Sequence, residues 1–288
     1  MNKQNKSKIF MALVMFTFGT MAPFVRNINV SSSELALYRA LLAISLVGLY
    51  IVITKQKFNI SNIKKELLLL LFSGALMGIN WILLFEAYKY TTVSIATLSY
   101  YFAPVLVTII SPIIFKEVLT KKQIISFIFS TIGLVMITGT IKTGNQDFIG
   151  ILFGLGAAVL YASVTLLNKF IKGVDGIQRT FVQFISAIIV LLPYVLFTSG
   201  LNYMSLTTIG WVSLGIIGLV HTGITYCVYF SIIEDLPGQQ VALLSYIDPL
   251  VAVLVSVVWL HETITLTQFI GGLLILGFTL YSELPSKK

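Results

Sequence analysis

The sequence predicts an all-α membrane protein with ten transmembrane helices, built as a five-plus-five inverted repeat with both termini in the cytoplasm. The first observation behind this prediction is composition: of 288 residues, 57% are hydrophobic and 10% are charged, well under half the charged share of an ordinary soluble domain. A soluble fold of this composition would expose large apolar patches to water. A bilayer accepts such side chains, provided that the backbone polar groups pair inside helices.

The second observation is the spacing of apolar segments, which have the length of about 17 to 25 residues that a membrane-spanning helix needs. Ten such segments cover residues 9–24, 35–54, 67–88, 93–115, 124–141, 148–167, 181–197, 209–233, 241–260 and 266–281. They run apolar on all sides and lack the alternating pattern of a transmembrane barrel. The short connections leave no room for a soluble domain.

Basic residues are distributed very unevenly between the two sets of connections. If the N-terminus is cytoplasmic, the inner segments hold fifteen lysines and arginines and the outer segments hold three. This bias follows the positive-inside rule and predicts a multi-pass protein of the cell membrane, the inner membrane where there are two, with both termini cytoplasmic. The net charge of +8 therefore reflects membrane topology, and nucleic acid is not expected as a partner.

The third observation is an internal repeat at an offset of 145 residues. Identities line up without a gap at Gly78/Gly223, Phe85/Phe230, Leu98/Leu243, Tyr101/Tyr246, Pro104/Pro249, Ser111/Ser256, Glu117/Glu262, Thr120/Thr265 and Gln123/Gln268. Residues 1–145 and 146–288 are thus expected to be two related five-helix repeats within one membrane domain. Because five is odd, the second half enters the membrane in the opposite orientation, and such halves can open one midplane cavity to either side in turn. The alternative is a duplication that only enlarged a helical bundle.

Six short segments carry a resemblance to a known family. They are LYRA at residues 37–40, NWILLFEAY at 80–88, SIATLSYYFAP at 94–104, KE at 116–117, LLSYIDP at 243–249 and HE at 261–262. With the ten spans and the repeat, the chain resembles the EamA-type members of the drug/metabolite transporter superfamily. The resemblance covers the whole chain and implies a transporter, but members that look alike are associated with different substrates. These include exported amino acids and other metabolites, nucleosides or sugar nucleotides, and choline.

Charged residues inside the predicted spans are candidates for coupling or charge pairing, because a charge in hydrocarbon is expensive. Arg39 lies about one turn past Glu34, so it is expected to pair with a carboxylate, to extend outward to the interface or to meet a substrate carboxylate. Glu86 precedes Lys89 by three residues, which permits an interfacial ion pair or a titrating carboxylate. Asp248 breaks the repeat, since its counterpart is Ala103, and it indicates either a site specific to this protein or a helix-distorting hydrogen bond.

A second set of residues is polar or aromatic and lies inside the predicted spans. Their side chains are the candidates for substrate binding. They are Asn80, Trp81, Tyr100, Tyr101, His221, Tyr226, Tyr246 and Asp248. Tyrosines can hold an ammonium group or an aromatic ring, although they also fill helical bundles. His221 can titrate or simply pack. Pro104 and Pro249 are expected to kink their helices beside the cavity, because each removes a hydrogen bond in mid-helix.

The sequence therefore predicts a secondary transporter of small polar metabolites, amino acids first, working by alternating access and in the direction of export. Transport of organic cations such as choline or other quaternary amines is the alternative, and an intramembrane enzyme is a third possibility without a supporting motif. We expect no cofactor and no metal, since no ligand-spaced cluster occurs. The expected partners are a small-molecule substrate, the lipid bilayer and protons as coupling ion, with the chain a monomer or weak dimer.

Overall fold

The computed structural model describes residues 3–58, 60–116, 120–139, 146–232, 235–236 and 244–283. Within these residues every regular element is a helix, and none is a strand. The first half contains α1 (Lys3–Gly19), α2 (Ala22–Arg26), α3 (Ser32–Ile53), α4 (Ile60–Tyr90), α5 (Val93–Tyr100), α6 (Ala103–Phe115) and α7 (Lys121–Gly139). The second contains α8 (Gln146–Phe170), α9 (Gly176–Thr198), a 3₁₀ turn (Tyr203–Ser205), α10 (Thr208–Gly215), a π-helix (Ile216–Ile224), α11 (Thr225–Ile232), α12 (Ile247–Val258) and α13 (Leu266–Glu283).

Seven described segments are long and apolar enough to cross a membrane. They are Lys3–Arg26, Ser32–Ile53, Ile60–Tyr90, Val93–Phe115, Gln146–Phe170, Gly176–Thr198 and Thr208–Tyr229. Shorter apolar helices cover Ile247–Val258 and Leu266–Ser282, and α7 occupies the fifth predicted span. An all-helical membrane fold is therefore what the described residues form, and each of the ten predicted spans contains helix among its described residues.

The two predicted proline kinks lie differently from the sequence prediction. Pro104 and Pro249 do not sit in the middle of a helix; each lies in the first turn of a new helix, α6 or α12. The helical path breaks just before, at Tyr101 and Phe102 in one case and at Tyr246 in the other. The reason is that proline suits the first helical turn, where no partner for its missing N–H is needed.

Glycines allow three of the helix contacts to be unusually close. A methyl group at Gly74 of α4 would approach the Ser186 Cβ of α9 to 2.7 Å, and one at Gly150 of α8 would approach the Thr91 Cβ to 2.7 Å. On the other side of the bundle, a methyl group at Gly271 of α13 would lie 2.6 Å from the Gly133 oxygen of α7. Small residues of this kind let helix backbones approach within a membrane, where packing replaces the hydrophobic effect as the source of association.

The π-helix between α10 and α11 packs against α3 through two further glycines. A methyl group at Gly218 would meet Leu42 Cβ at 2.5 Å, and one at Gly223 would meet Leu46 Cβ at 3.0 Å. The hydroxyls of Thr222 and Thr225 donate to the carbonyls five residues earlier, at 2.8 and 2.6 Å, which is the register of a π-helix. Such wide turns are rare and occur frequently at functional sites.

We expect Gly74→Ala to lower the free energy of unfolding by about 1 to 3 kcal/mol, the usual cost of forcing extra atoms into a packed interface. The added methyl group would have to displace α9, because backbone atoms of Gln183 are among its nearest neighbours. The measurement is thermal unfolding of the purified protein in detergent. Gly277→Ala is the matched control, since nothing lies within 4 Å of the added atom, and an equal loss in both variants would contradict the packing argument.

Candidate functional site

The Arg39 side chain is buried in the centre of the bundle, with 3% of its surface exposed. Its Nε donates a hydrogen bond to Thr222 Oγ1 of the π-helix at 2.7 Å. The guanidinium group lies over the Trp81 ring, 4.5 Å from its centroid, and 5.7 Å from the centroid of Phe85. Both rings belong to α4, so three elements fix this cation in place.

Neither structural role that the sequence suggested for Arg39 is present. Glu34 does not pair with it, because this carboxylate caps α3 by accepting from the Ser31 N–H and accepts a second bond, at 2.7 Å, from the Asn202 N–H. The arginine also does not extend to the interface, since it is buried. Among the described residues no carboxylate lies within ion-pair distance of Arg39, and none accepts a hydrogen bond from its two terminal nitrogens.

Asp248 lies in the first turn of α12, directly after the break at Tyr246. Its carboxylate accepts a hydrogen bond from the hydroxyl of Tyr101, the residue at the corresponding break between α5 and α6. Among the described residues it forms no ion pair. The carboxylate is thus held where two interrupted helices meet, and its role as a site residue stays a prediction.

Three tyrosines lie near both the buried Arg39 cation and the partly buried Asp248 carboxylate. Tyr88, Tyr100 and Tyr226 each lie within electrostatic range of both Arg39 and Asp248. The tyrosine rings also pack edge to face against one another and against Phe184, which lies tilted against Trp81. The contacts are Tyr100 with Tyr101 (5.7 Å), Tyr100 with Tyr161 (5.5 Å), Tyr226 with Phe184 (5.6 Å) and Trp81 with Phe184 (5.8 Å between centroids).

We call this set the central cluster and define it by its members. It consists of Arg39, Trp81, Tyr88, Tyr100, Tyr101, Thr222, Tyr226 and Asp248. The structure thus brings together five of the eight predicted binding residues with the predicted Arg39. An arrangement of one cation, one carboxylate and several phenol rings can bind a small molecule that carries both charges.

The other predicted residues lie around this cluster in different settings. Asn80 is buried, and its Nδ2 donates to the Ala157 carbonyl of α8 at 2.6 Å. Tyr246 packs at the edge of an apolar group that includes Leu98 and Ile275. Glu86 forms an ion pair with Lys89 at 3.4 Å, which is the interfacial arrangement that the three-residue spacing allows.

His221 sits in the π-helix next to Thr222 and is 3% exposed. Its Nε2 lies 3.2 Å from Thr20 Oγ1, its Nδ1 lies 3.2 Å from the Ile216 carbonyl, and its ring packs 5.3 Å from that of Phe24. Both ring nitrogens therefore have neighbours in the protein. The histidine links the end of α1 to the element that holds Arg39.

One end of the bundle is closed by a network that we call the Arg26 lock. Arg26 of α2 forms an ion pair with Glu262 at 2.6 Å, and the other oxygen of this carboxylate accepts from the Val93 N–H at 2.8 Å and from the Ser256 hydroxyl. Ser94 donates in turn to Ser256 at 2.7 Å. The lock therefore ties the segment after α12 to α2 and to the start of α5.

The opposite end carries a looser connection between α1 and the segment after α11. Lys3 forms an ion pair with Asp235 at 2.7 Å, and Ser7 donates to the same carboxylate at 2.9 Å. These two hydrogen bonds hold the pKa of Asp235 below its usual value. Since Lys3 is largely exposed, this contact is expected to contribute little to stability.

One cavity lies between α1, α3, the π-helix and α11. It measures about 350 Å³, and its lining is almost wholly apolar, with Phe10 and Ile224 at its mouth. A second void, too narrow to hold a water molecule, borders Tyr226. Among the described residues no three His, Cys, Asp or Glu side chains lie close enough to hold a metal ion.

Thr222, Tyr88, Arg26 and Glu262 were not among the candidates from sequence. Tyr88 ends the NWILLFEAY segment, and Glu262 is half of a pair in the repeat, so both had a signal. Arg26 lies in a predicted short connection, and nothing in the sequence marked it as a candidate. Thr222 also had no signal in the sequence, because a threonine in an apolar helix usually donates a hydrogen bond to its own backbone, as Thr131 does.

Comparison with known proteins agrees with this fold. A model of the "EamA-like transporter family" matches the chain twice, over residues 5–139 and 148–282. A crystal structure superposes with a TM-score of 0.66 over 97% of each chain, at 14% sequence identity, which is a likeness of fold alone.

Curated relatives are described as uncharacterized transporters. YxxF of Bacillus subtilis (strain 168) is 27% identical over 282 residues, covering 94% of this chain and 90% of the relative. A protein of Archaeoglobus fulgidus is 27% identical over 260 residues, covering 90% and 89%. Since the family model covers nearly the whole chain, this multi-pass membrane protein belongs to the EamA-like transporter family.

Proposed function

We propose that the protein is a secondary transporter of zwitterionic amino acids, with export as its direction. The observation that carries the proposal is that Arg39 is buried and Asp248 is partly buried, and that neither has an ion-pair partner among the described residues. A charge at the centre of a bilayer costs at least about 2.5 to 3.5 kcal/mol. A zwitterion supplies a counter-charge to each, its carboxylate to Arg39 and its ammonium to Asp248.

The tyrosines support this assignment because they lie near both charges. Tyr88, Tyr100 and Tyr226 interact with both Arg39 and Asp248, so a ligand that spans the charges would pass between phenol rings. Such rings offer flat apolar surface and a hydroxyl at one edge. The same rings would stack on the side chain of an amino acid.

Organic cations are the second candidate, because one part of the cluster suits them without Arg39. Asp248 is surrounded by Tyr88, Tyr100, Tyr101 and Tyr161, all within electrostatic range. An acidic group among aromatic faces is a common way to bind a quaternary ammonium. A substrate of this class would leave the arginine with a purely structural task.

For the mechanism, we propose alternating access between two inverted five-helix repeats, residues 1–145 and 146–288. The family model matches each half separately, and the helix breaks at Tyr101 and Tyr246 are 145 residues apart. So are Lys116 and His261, which both have φ of +54°. The break residues would act as hinges, and the Arg26 lock would close the outer side, given cytoplasmic termini.

We further propose protons as the coupling ion and Asp248 as the group that carries them, with Glu86 the alternative. Asp248 touches the cluster through Tyr101, whereas Glu86 is paired with Lys89. No nucleotide-binding loop of the P-loop type occurs in the sequence, so a gradient is the expected source of energy.

Arg39→Gln should reduce uptake of labelled amino acids into proteoliposomes by about thirty-fold or more, because the substrate carboxylate loses its buried partner. Uptake of the corresponding decarboxylated amine should change little. Lys65→Gln, which removes an exposed positive charge, is the matched control. If amines and quaternary amines are the only substrates, and Arg39→Gln leaves their transport intact, the cation hypothesis replaces the amino-acid proposal.

Asp248→Asn should abolish the acceleration of transport by an imposed pH gradient, since an amide cannot take up and release the proton. Glu86→Gln removes a carboxylate of similar chemistry outside the cluster and should retain at least half of that acceleration. Uptake is measured with and without the gradient for both variants. The opposite pattern would move the coupling role from Asp248 to Glu86.

Glu262→Gln should open the Arg26 end of the bundle more often, because it removes the charge that attracts Arg26 while keeping an oxygen for the Val93 N–H. In a Cys227→Ala background, a cysteine replacing the fully buried Val93 should then react about tenfold or more faster with a water-soluble maleimide. Glu86→Gln is the control, because its ion pair lies within one helix. Equal labelling rates in the two variants would argue against a lock.

A further inference from the structure

We infer that Thr222 is the positioning residue for substrate recognition. In this role it fixes the orientation of the Arg39 guanidinium, so that the two terminal nitrogens face a substrate carboxylate. The inference rests on the proposed function for the nature of the substrate, but its geometric part stands on Arg39, Thr222 and Trp81 alone. Thr222 is fully buried, at 0% exposure.

The first step concerns the donors of the guanidinium group. Arginine has five N–H donors in a planar fork, one on Nε and four on the terminal nitrogens. Thr222 Oγ1 accepts from Nε at 2.7 Å, and no described residue accepts from the other two nitrogens. Because Nε is held from one side and one face of the plane covers Trp81 at 4.5 Å, the edge with four donors has a defined direction. That edge is the one that binds a carboxylate with two parallel hydrogen bonds.

The second step concerns how the π-helix holds Thr222. The hydroxyl has a single proton, which it donates to the Ile217 carbonyl at 2.8 Å, so its oxygen is left as an acceptor and faces Arg39. This orientation makes the threonine an acceptor for a cation without placing a second charge in the membrane. The i→i−5 bond is available only because residues 216–224 adopt the wider register.

The third step concerns the approach of the two elements. Arg39, Leu42 and Leu46 lie three and then four residues apart, so they share one face of α3. That face packs on Gly218 and Gly223 of the π-helix, with the close distances given above. The glycines therefore bring the π-helix near enough for the short Thr222 side chain to reach Nε. With larger residues at these positions the hydroxyl would be held too far from Arg39.

The chain offers a matched control in Thr225. Its hydroxyl makes the same kind of bond, to the Val220 carbonyl at 2.6 Å, and the residue is 4% exposed. It differs from Thr222 in having no bond to Arg39. Thr225→Val therefore measures what loss of a hydroxyl does to the π-helix, and Thr222→Val measures that effect together with release of the arginine.

The experiment uses the full-length protein with Trp211 and Trp259 replaced by phenylalanine, which leaves Trp81 as the sole tryptophan. Thr222→Val should shift the fluorescence emission of Trp81, because the cation over its ring is no longer held. Thr222→Ser, which keeps the hydroxyl, and Thr225→Val should leave the emission unchanged. This part requires no substrate, so it tests the positioning role whether or not amino acids are transported.

In proteoliposomes, Thr222→Val should raise the KM for an amino acid about tenfold or more, in line with loss of a hydrogen bond to a charged group, and change kcat less than twofold. The KM for the amide analogue, which lacks the carboxylate, should change less than twofold, and Thr222→Ser should restore amino-acid affinity. A fluorescence shift without transport of any amino acid would sustain the positioning of Arg39 and overturn the substrate assignment. Unchanged fluorescence in Thr222→Val, or equal effects of Thr222→Val and Thr225→Val, would overturn the inference.

Discussion

The architecture around the central cluster depends on keeping a permanent positive charge inside a membrane-spanning bundle. Arg39 cannot lose its proton at any physiological pH, and no described carboxylate neutralises it. The protein stabilises it instead by a hydroxyl oxygen and by the faces of Trp81 and Phe85. This arrangement requires α3 and the π-helix to lie close together. Gly218 and Gly223 allow that close approach.

Much of the fold could be predicted from sequence because bilayer thickness sets the length of apolar segments, and each predicted span contains helix among the residues that the structure describes. The exact helix breaks could not be predicted in the same way. A proline has two different effects, interrupting a helix or beginning one, and the sequence around Pro104 and Pro249 is compatible with both. Tertiary contact at Tyr101 and Asp248 decides between them.

The members of the candidate site that could be predicted are those whose charge is energetically expensive inside a bilayer. Arg39 and Asp248 stand out in an apolar sequence, and the asymmetry of Asp248 against Ala103 made it more conspicuous still. Thr222 costs little in a helix, so nothing in the sequence distinguishes it from other threonines. Arg26 and Glu262 are 236 residues apart, and no local pattern predicts that they meet. The pairing of distant groups could therefore not be predicted from the sequence, because the packing of the helices determines it.

The opposite signs of Arg39 and Asp248 have a consequence for the electrical behaviour of the protein. Moving one elementary charge across a potential of 100 mV involves about 2.3 kcal/mol, so a lone buried charge that changed sides would make each conformational step sensitive to voltage. Here the cation and the carboxylate belong to one cluster. If both move in the same direction, the electrical work done on one cancels the work done on the other. A zwitterion carried between them adds no net charge. If the proposed cycle operates, the membrane potential performs work only on the co-transported ion, and the empty carrier returns at a rate independent of voltage.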